Sequence, residues 1–460
     1  MRLRRGNVER YARRSTDVTQ LRRPVHDSNW LCGFECAKLP ALSRRHAAAI
    51  AWVIACLSMV DSRTARAADD AKPDAVDYNR ERFEPAGFPL LGGDSDIGFE
   101  FGVVGTLSKF GNGAVPYEWN MDLVLALSIK NGPSGEELTQ QSYQWNVDVP
   151  NLYDGRVRLN PQLLYYTTVN QLYFGVGNAS SARAPANASG RYFEFDDRQA
   201  RLRELTRIAL RGPFDLMIGT QYRYENPQVY AGSKLESDAA TGAARGVQRL
   251  SIFTLSAGPV YDTRDNEIFP RRGSYGHMGL RGSVGVPSRA GVRYGGVGGS
   301  LAKYVPLGGP ATLAVRGVAD FEFGNVPAYD LYTGGVFFTD EMIGGSSSVR
   351  GVPDGRYAGL IKVFGNAELR ALLWHVRMLG QRFAFGGNLL FDTGRLWSDY
   401  TFHARADGSG IGLKWGAGAG AYLVWGQAAV FRLEVAYSPD AKSENPSLPL
   451  GIYVEDGVMF

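Results

Sequence analysis

The sequence predicts an all-β protein: a transmembrane antiparallel β-barrel of the bacterial outer membrane, with sixteen strands and one long loop folded into the lumen. Three observations predict it. A short apolar run near the N-terminus is followed by a small-residue cleavage signature. The rest of the chain falls into segments of about ten residues that alternate with period two. No later stretch holds the eighteen or so consecutive apolar residues that a spanning helix needs.

The apolar run is Ala47 to Val60, preceded by Arg44 and Arg45 and followed by Ala65-Arg66-Ala67. This order is that of a secretory signal peptide, and the run is too short to span a bilayer. The long basic prefix before it suggests that translation starts downstream of Met1. Val53 to Cys56 offers a weaker alternative reading as a lipoprotein box. Residues 1–67 carry thirteen basic and five acidic side chains, so cleavage after Ala67 turns the net charge from +4 to −4. The basic balance belongs to the removed part, which takes away the electrostatic case for a nucleic-acid partner. Cys32, Cys36 and Cys56 all lie in that part too, so the mature chain has no disulfide or thiol chemistry.

Mean hydropathy is −0.20, with 57 glycines and 12% aromatic residues. A barrel strand alternates lipid-facing and lumen-facing residues, so low mean hydropathy is compatible with a membrane protein. Abundant aromatics suit its interfacial girdles. The alternation is plain in three segments. Leu369, Ala371 and Leu373 alternate with Glu368 and Arg370; Leu313, Val315, Phe321 and Phe323 with Thr312, Arg316, Asp320 and Glu322; Phe431, Leu433 and Val435 with Arg432 and Glu434. About fifteen such segments run from Ile97 to Phe460, and single-chain bacterial barrels have even strand numbers, so sixteen are expected. Tyr143 to Ala209 is the most ragged stretch. Residues 68–96 read as a short periplasmic lead-in and 97–460 as the barrel. Asn178 to Arg191, Ala231 to Gln248 and Asp399 to Gly410 read as extracellular loops.

One connection is far longer than a turn. Asn325 to Tyr357 separates two strong strands, and a loop of that length inside a compact protein is usually functional. Its centre reads Gly344-Gly345-Ser346-Ser347-Ser348-Val349-Arg350-Gly351-Val352-Pro353. Folded inward, Arg350 needs carboxylates, because an unpaired charge in a confined lumen is costly. Glu368 and Asp392 stand on the polar faces of the next two strands, and a guanidinium fork suits a carboxylate.

These residues resemble the BamA/TamA-type outer-membrane assembly barrels, also called bacterial surface antigens. The resemblance covers most of residues 85–460. Val349-Arg350-Gly351 after a Gly/Ser run is similar to the family's loop motif, Phe391-Asp392-Thr393-Gly394 to its F-D-x-G strand, and Glu368 to its acidic position one strand earlier. Asp262-Thr263-Arg264-Asp265-Asn266 with Phe269-Pro270 and Gly273 is similar to its D-T-R-D-N…F-P…G segment. Leu172 to Asn178 is similar to a segment of its shorter members. The resemblance implies a lumen loop locked by Val349, Arg350 and Gly351 against Glu368 and Asp392. It also implies a first-to-last strand seam that can open, and a C-terminal assembly signal at Phe460. Three positions depart from it. About 29 residues separate Ala67 from Ile97, too few for a periplasmic POTRA domain. Val352 stands where an aromatic residue is usual, with Tyr357 a candidate replacement. Gly457 lies closer to the end of the last strand, Ile452 to Phe460, than is usual.

The expected function is help in inserting or translocating polypeptide or lipid. The expected partners are outer-membrane lipid and nascent outer-membrane proteins, or a separate protein carrying the periplasmic domains. The alternative is a passive pore or structural surface antigen. No enzyme is expected and no cofactor. His277, His375 and His403 show no metal spacing, Ser346 to Ser348 lack the closing glycine of a nucleophile elbow, and the Gly-rich runs lack the Gly-Lys-Ser/Thr end of a phosphate loop.

Overall fold

The computed structural model describes residues 78–94, 98–132, 135–338, 340–378, 381–426, 429–443 and 449–460. The signal peptide reading falls outside them. Among the described residues no helix is long and apolar enough to cross a membrane. Among the described residues sixteen long strands make one antiparallel sheet. They are β1 (Arg82–Asp94), β2 (Gly98–Phe110), β3 (Trp119–Gly132), β4 (Gly135–Leu152), β5 (Val157–Leu172), β6 (Glu194–Ala209), β7 (Phe214–Glu225) and β8 (Leu250–Asp262). The second half comprises β9 (Gly273–Val286), β10 (Arg293–Gly308), β11 (Ala311–Asn325), β12 (Ile361–Met378), β13 (Gln381–Trp397), β14 (Lys414–Trp425), β15 (Ala429–Tyr437) and β16 (Leu450–Asp456). Each pairs with its neighbours in sequence. Such an up-and-down order satisfies backbone groups between strands, which is the only way a sheet survives in hydrocarbon.

The period-two pattern maps onto the two faces. Leu369, Leu373, Leu389 and Phe391 are 41 to 60% exposed on the lipid side, while Lys362, Glu368, Arg370 and Asp392 on the lumen side have no exposure. Short turns such as 153–156 and 210–213 lie at the end where both termini emerge, and the long connections lie at the other. That asymmetry puts the short turns in the periplasm and the loops outside.

Two sequence expectations are corrected. The barrel does not begin at Ile97. Part of the supposed lead-in is β1, paired with β2 over its whole length. It escapes the pattern because Pro85, Pro89 and three glycines interrupt the alternation. The two prolines are four residues apart and so point to the same side of the ladder, which an edge strand tolerates. At the other end the strand stops at Asp456, not Phe460. Gly457 takes φ +75°, and the last residues turn into the lumen. The ragged stretch after Tyr143 contains most of β4 together with β5 and β6, where register shifts at Val149/Leu152 and Thr168/Gln171 swap the faces midway.

The strands differ greatly in length. β12 and β13 have 18 and 17 residues, whereas β15 has 9 and β16 only 7. Among the described residues no backbone pairing joins β16 to β1. The two ends of the sheet meet instead where Phe88 of β1 sets its ring edge-on to Phe431 of β15, centroids 4.4 Å apart. Because lipid contacts only the outward residues, Leu389→Arg at the middle of β13 should cost about 2–4 kcal/mol of barrel stability. Denaturant unfolding in lipid vesicles measures it, and a cost near zero would mean that this face is not in the bilayer.

Candidate functional site: the lumen loop and its ion cluster

The connection between β11 and β12 (residues 326–360) descends into the barrel because its apolar residues have partners there. Val349, Val352 and Tyr357 are buried with Met342, Ile343, Val318, Phe364 and Leu396. Val352 and Tyr357 thus share one cluster. The descending limb is held by charge. Arg223 of β7 grips Asp330 at 2.7 and 2.8 Å, and Lys362 reaches Glu322 at 2.6 Å, the Asp330 carbonyl at 3.0 Å and the Thr333 carbonyl at 2.5 Å.

At the tip, Arg350 is wholly buried. Its Nε and Nη2 donate to the two oxygens of Asp392 at 2.8 and 2.9 Å, and its backbone N–H to Asp392 Oδ2 at 3.1 Å. Nη1 lies 2.6 Å from Glu368 Oε1 and donates to Glu434 Oε1 at 2.8 Å. One guanidinium therefore spans β12, β13 and β15. Arg370 bonds Glu368 at 2.6 Å, and Arg432 stands 3.5 Å from Glu434, so three guanidinium groups face three carboxylates. Asn366 donates to Asp392 and to the Ser348 carbonyl, Tyr422 to Glu368, and Asn388 to Glu434. Charge pairing of this kind offsets the cost of burial, although Arg370 Nη2 and Arg432 Nε have no hydrogen-bond partner among the described residues.

Backbone shape completes the fit. A Cβ at Gly416 on β14 would stand 1.8 Å from the Arg350 carbonyl oxygen, so the glycine makes room for the loop. Gly351 has φ +89° and donates its N–H to the Tyr453 hydroxyl of β16 at 2.7 Å, while Tyr357 donates to Asp440 at 2.8 Å. Val349, Arg350, Gly351, Glu368 and Asp392 are brought together here. Phe460 lies nearby, against Arg370, with its ring 4.6 Å from that guanidinium. Glu434, Arg370, Asn366 and Tyr422 were not singled out by sequence. Their only signal is a place on the polar face of a strand, which dozens of residues share. Outside the loop, Asn178 donates to the Gly412 carbonyl and Ala179 N–H to the Ala406 carbonyl, joining extracellular connections above the lumen. His277 sits against Phe337 and Phe338.

The Omp85 superfamily domain matches residues 135–451. The chain belongs to the Omp85 superfamily. It is accordingly an outer-membrane β-barrel of Gram-negative bacteria. Among solved structures this Omp85 chain is similar to BamA from Haemophilus ducreyi lacking POTRA domains 1-3, with 16% identity and a TM-score of 0.46 over 83% of this chain and 70% of that one. It is similar to CdiB from Escherichia coli, with 15% identity and a TM-score of 0.49 over 82% of this chain and 62% of that one. The corresponding figures for CdiB from Acinetobacter baumannii are 14%, 0.44, 77% and 56%. No curated protein matches the sequence.

Removing one member of a buried pair strands the others, which typically costs about 3–5 kcal/mol. Arg350→Ala should therefore release the loop and lower the temperature at which the folded band is lost on detergent gels. Arg350→Lys, which keeps charge but loses the fork, should fall between. The reciprocal exchange of Arg350→Asp with Asp392→Arg should rescue little, because the new Asp would face Glu368 and Glu434. Full rescue would show that those two carboxylates do not matter.

Two further carboxyls of the loop, Glu341 and Asp354, border one cavity. Loss of water pushes both above the usual carboxylate range, and the Asp354 charge raises Glu341 further. A raised acid stabilises the docked loop while it is protonated, and that contribution fades as pH rises through the raised value. Hydrogen-exchange protection of residues 340–356, relative to the intrinsic rate at each pH, should be greater at mildly acidic than at alkaline pH. Glu341→Gln should flatten the difference; an unchanged slope would exclude Glu341 as its source.

Proposed function

We propose that this barrel assists the insertion or passage of polypeptide or lipid at the outer membrane, using the junction of β1 and β16 as its working edge. Superfamily membership supports insertion or translocation as the general activity. The observation that carries the finer reading is the weakness of one wall. Seven residues at about 3.3 Å each, tilted by about 40°, cover roughly 18 Å, against a lipid-facing band about 25 Å tall. Lipid beside β16 must thin to match it, and a thinned bilayer is easier to enter. Where the first and last strands of a barrel part, their edges can template another strand.

Inside, a cavity of about 690 Å³ reaches from the polar walls of β4 to β6 past Phe88 and Leu90 to Leu433, Leu450 and Ile452 at the junction. The last three are half-exposed on the outer face, so the cavity adjoins lipid as well as lumen. The loop has its role here as a lock. Arg350, Glu368 and Asp392 fix the lumen side of the strong wall, and Gly351 steadies β16 from within. Nothing in this arrangement calls for bond-breaking chemistry, and the protein is read as a non-enzymatic barrel. Its partners would be outer-membrane lipid and nascent outer-membrane proteins, or a separate polypeptide that supplies periplasmic domains.

Depleting the protein should lower the outer-membrane content of one class of protein or lipid, measured by quantitative proteomics and lipid analysis of isolated membranes. Unchanged content on depletion, together with large steady channels in planar bilayers, would sink this reading in favour of a passive pore.

A further inference from the structure

The segment between β8 and β9, residues 262–273, carries the D-T-R-D-N…F-P…G pattern, and neither the lock nor the edge uses it. Its side chains build a stiff strap. Asp262 takes the Arg264 guanidinium at 3.0 and 2.8 Å. Asp265 Oδ1 accepts the backbone N–H groups of Arg271 and Arg272 at 2.9 and 3.0 Å. Asn266 Oδ1 accepts those of Ile268 and Phe269, both at 2.8 Å. Gly273, at φ +103°, leaves no room for a Cβ against the Thr263 carbonyl. A self-capped turn of this kind holds its projecting residues rigidly.

Those residues reach well away from the strands that carry the strap. On one side Glu267 pairs with Arg158 of β5 at 2.6 Å. Arg158 also grips Asp148 of β4 through two bonds of 2.7 and 2.6 Å, and Tyr117 donates to the same Asp148. On the other side Phe269 is buried against Tyr422 of β14 and Val430 of β15, with Leu372, Val424 and Val458 around them. The Phe269 and Tyr422 rings stand edge to face at 5.5 Å. The strap therefore bridges β4 and β5 to β14 and β15, across the periplasmic end of the barrel.

The C-terminal tail completes the crossing. After Gly457 the chain places Val458 in the Phe269 cluster and Phe460 between two cations. Its ring is 4.9 Å from the Arg316 guanidinium, 4.6 Å from that of Arg370, and 6.4 Å from the Tyr304 ring. Arg370 donates to a carboxyl oxygen of Phe460 at 3.1 Å and Arg316 to the Met459 carbonyl at 3.4 Å. Arg370 in turn bonds Glu368, which bonds Arg350. The tail lies directly beneath the ion cluster of the lumen loop.

We propose that the strap 262–273 and the tail 457–460 form a periplasmic floor that closes the lumen to water and small ions, with the tail as its movable leaf. The strap is fixed by its own caps and by ion pairs on the far wall. The tail is continuous with β16, the shortest strand, so any shift of β16 toward β1 draws Val458 and Phe460 out of their seats. The floor opens when the working edge closes. This rests on the edge reading above only for that last link; the seal itself does not depend on what the barrel transports.

The test is single-channel conductance of the refolded mature chain in planar bilayers. Phe269→Ala, and a chain ending at Asp456, should each raise steady conductance several-fold. Combining them should add little, because both breach one floor. All three cysteines precede residue 57, so Ile268→Cys with Val458→Cys can be joined by a short thiol cross-linker without competing thiols. Joining should hold conductance at or below the parent level and abolish brief openings, and a cleavable linker should restore them on reduction. Unchanged conductance in both open variants, with the folded gel mobility retained, overturns the proposal. Should those variants fail to fold, equal conductance before and after cleavage of the linker overturns it as well. A conductance result as expected beside unchanged outer-membrane content on depletion would leave the floor standing and remove only the function proposed above.

Discussion

A guanidinium that water cannot reach must be met by enough negative charge to replace its hydration, and in this barrel that requirement organises everything inside the wall. Arg350 has three carboxylates around it, drawn from β12, β13 and β15. Three carboxylates on one arginine would repel one another, so Arg370 and Arg432 stand beside Glu368 and Glu434 to balance them. No member of the set can be chosen without the others. The loop can be 35 residues long and yet ordered because its tip ends in a site where leaving would expose all six charges.

The same requirement shapes positions that carry no charge. Gly416 is a glycine because the Arg350 carbonyl occupies the space where its side chain would be. Gly351 turns through a left-handed conformation at the one place where the loop passes β15 and meets Tyr453 of β16. Asn366 links Asp392 to the Ser348 carbonyl, so the strand reads the loop backbone as well as its arginine. The Gly/Ser run before Val349 suits this crowding: small residues let the chain approach the wall closely.

How much of this was legible in the sequence follows from what period two can and cannot encode. The alternation in β11, β12 and β15 announces which residues face the lumen, and a carboxylate there next to a long loop with an arginine is a reasonable partner for it. Alternation says nothing about depth along the barrel or about which strands lie opposite. Glu434 is therefore as visible as Glu368 in sequence, but its meeting with Arg350 across 84 residues is not. β1 was hidden because an edge strand can carry prolines and glycines that a central strand cannot. The end of β16 was hidden because Gly457 reads equally well as part of a glycine-rich strand. Its positive φ, which sends Phe460 into the lumen, appears only in the folded chain.

The distribution of strength around the barrel follows from these local facts. β11 to β13 are long, paired on both sides and fastened to the loop by buried charge. β15 and β16 are short and β1 is interrupted, and besides the ladder the last part of the chain is held from inside: Tyr453 by Gly351, Asp440 by Tyr357, and the tail by Arg316 and Arg370. β16 is paired with β15 along all seven of its residues, and the loop adds to that ladder a hold from the lumen side. Arg350 and β16 are thereby linked through one residue, because Gly351, next in the chain, donates its N–H to Tyr453. The strength of the β12 to β13 side is a consequence of placing this ion cluster off-centre, against those strands and β15.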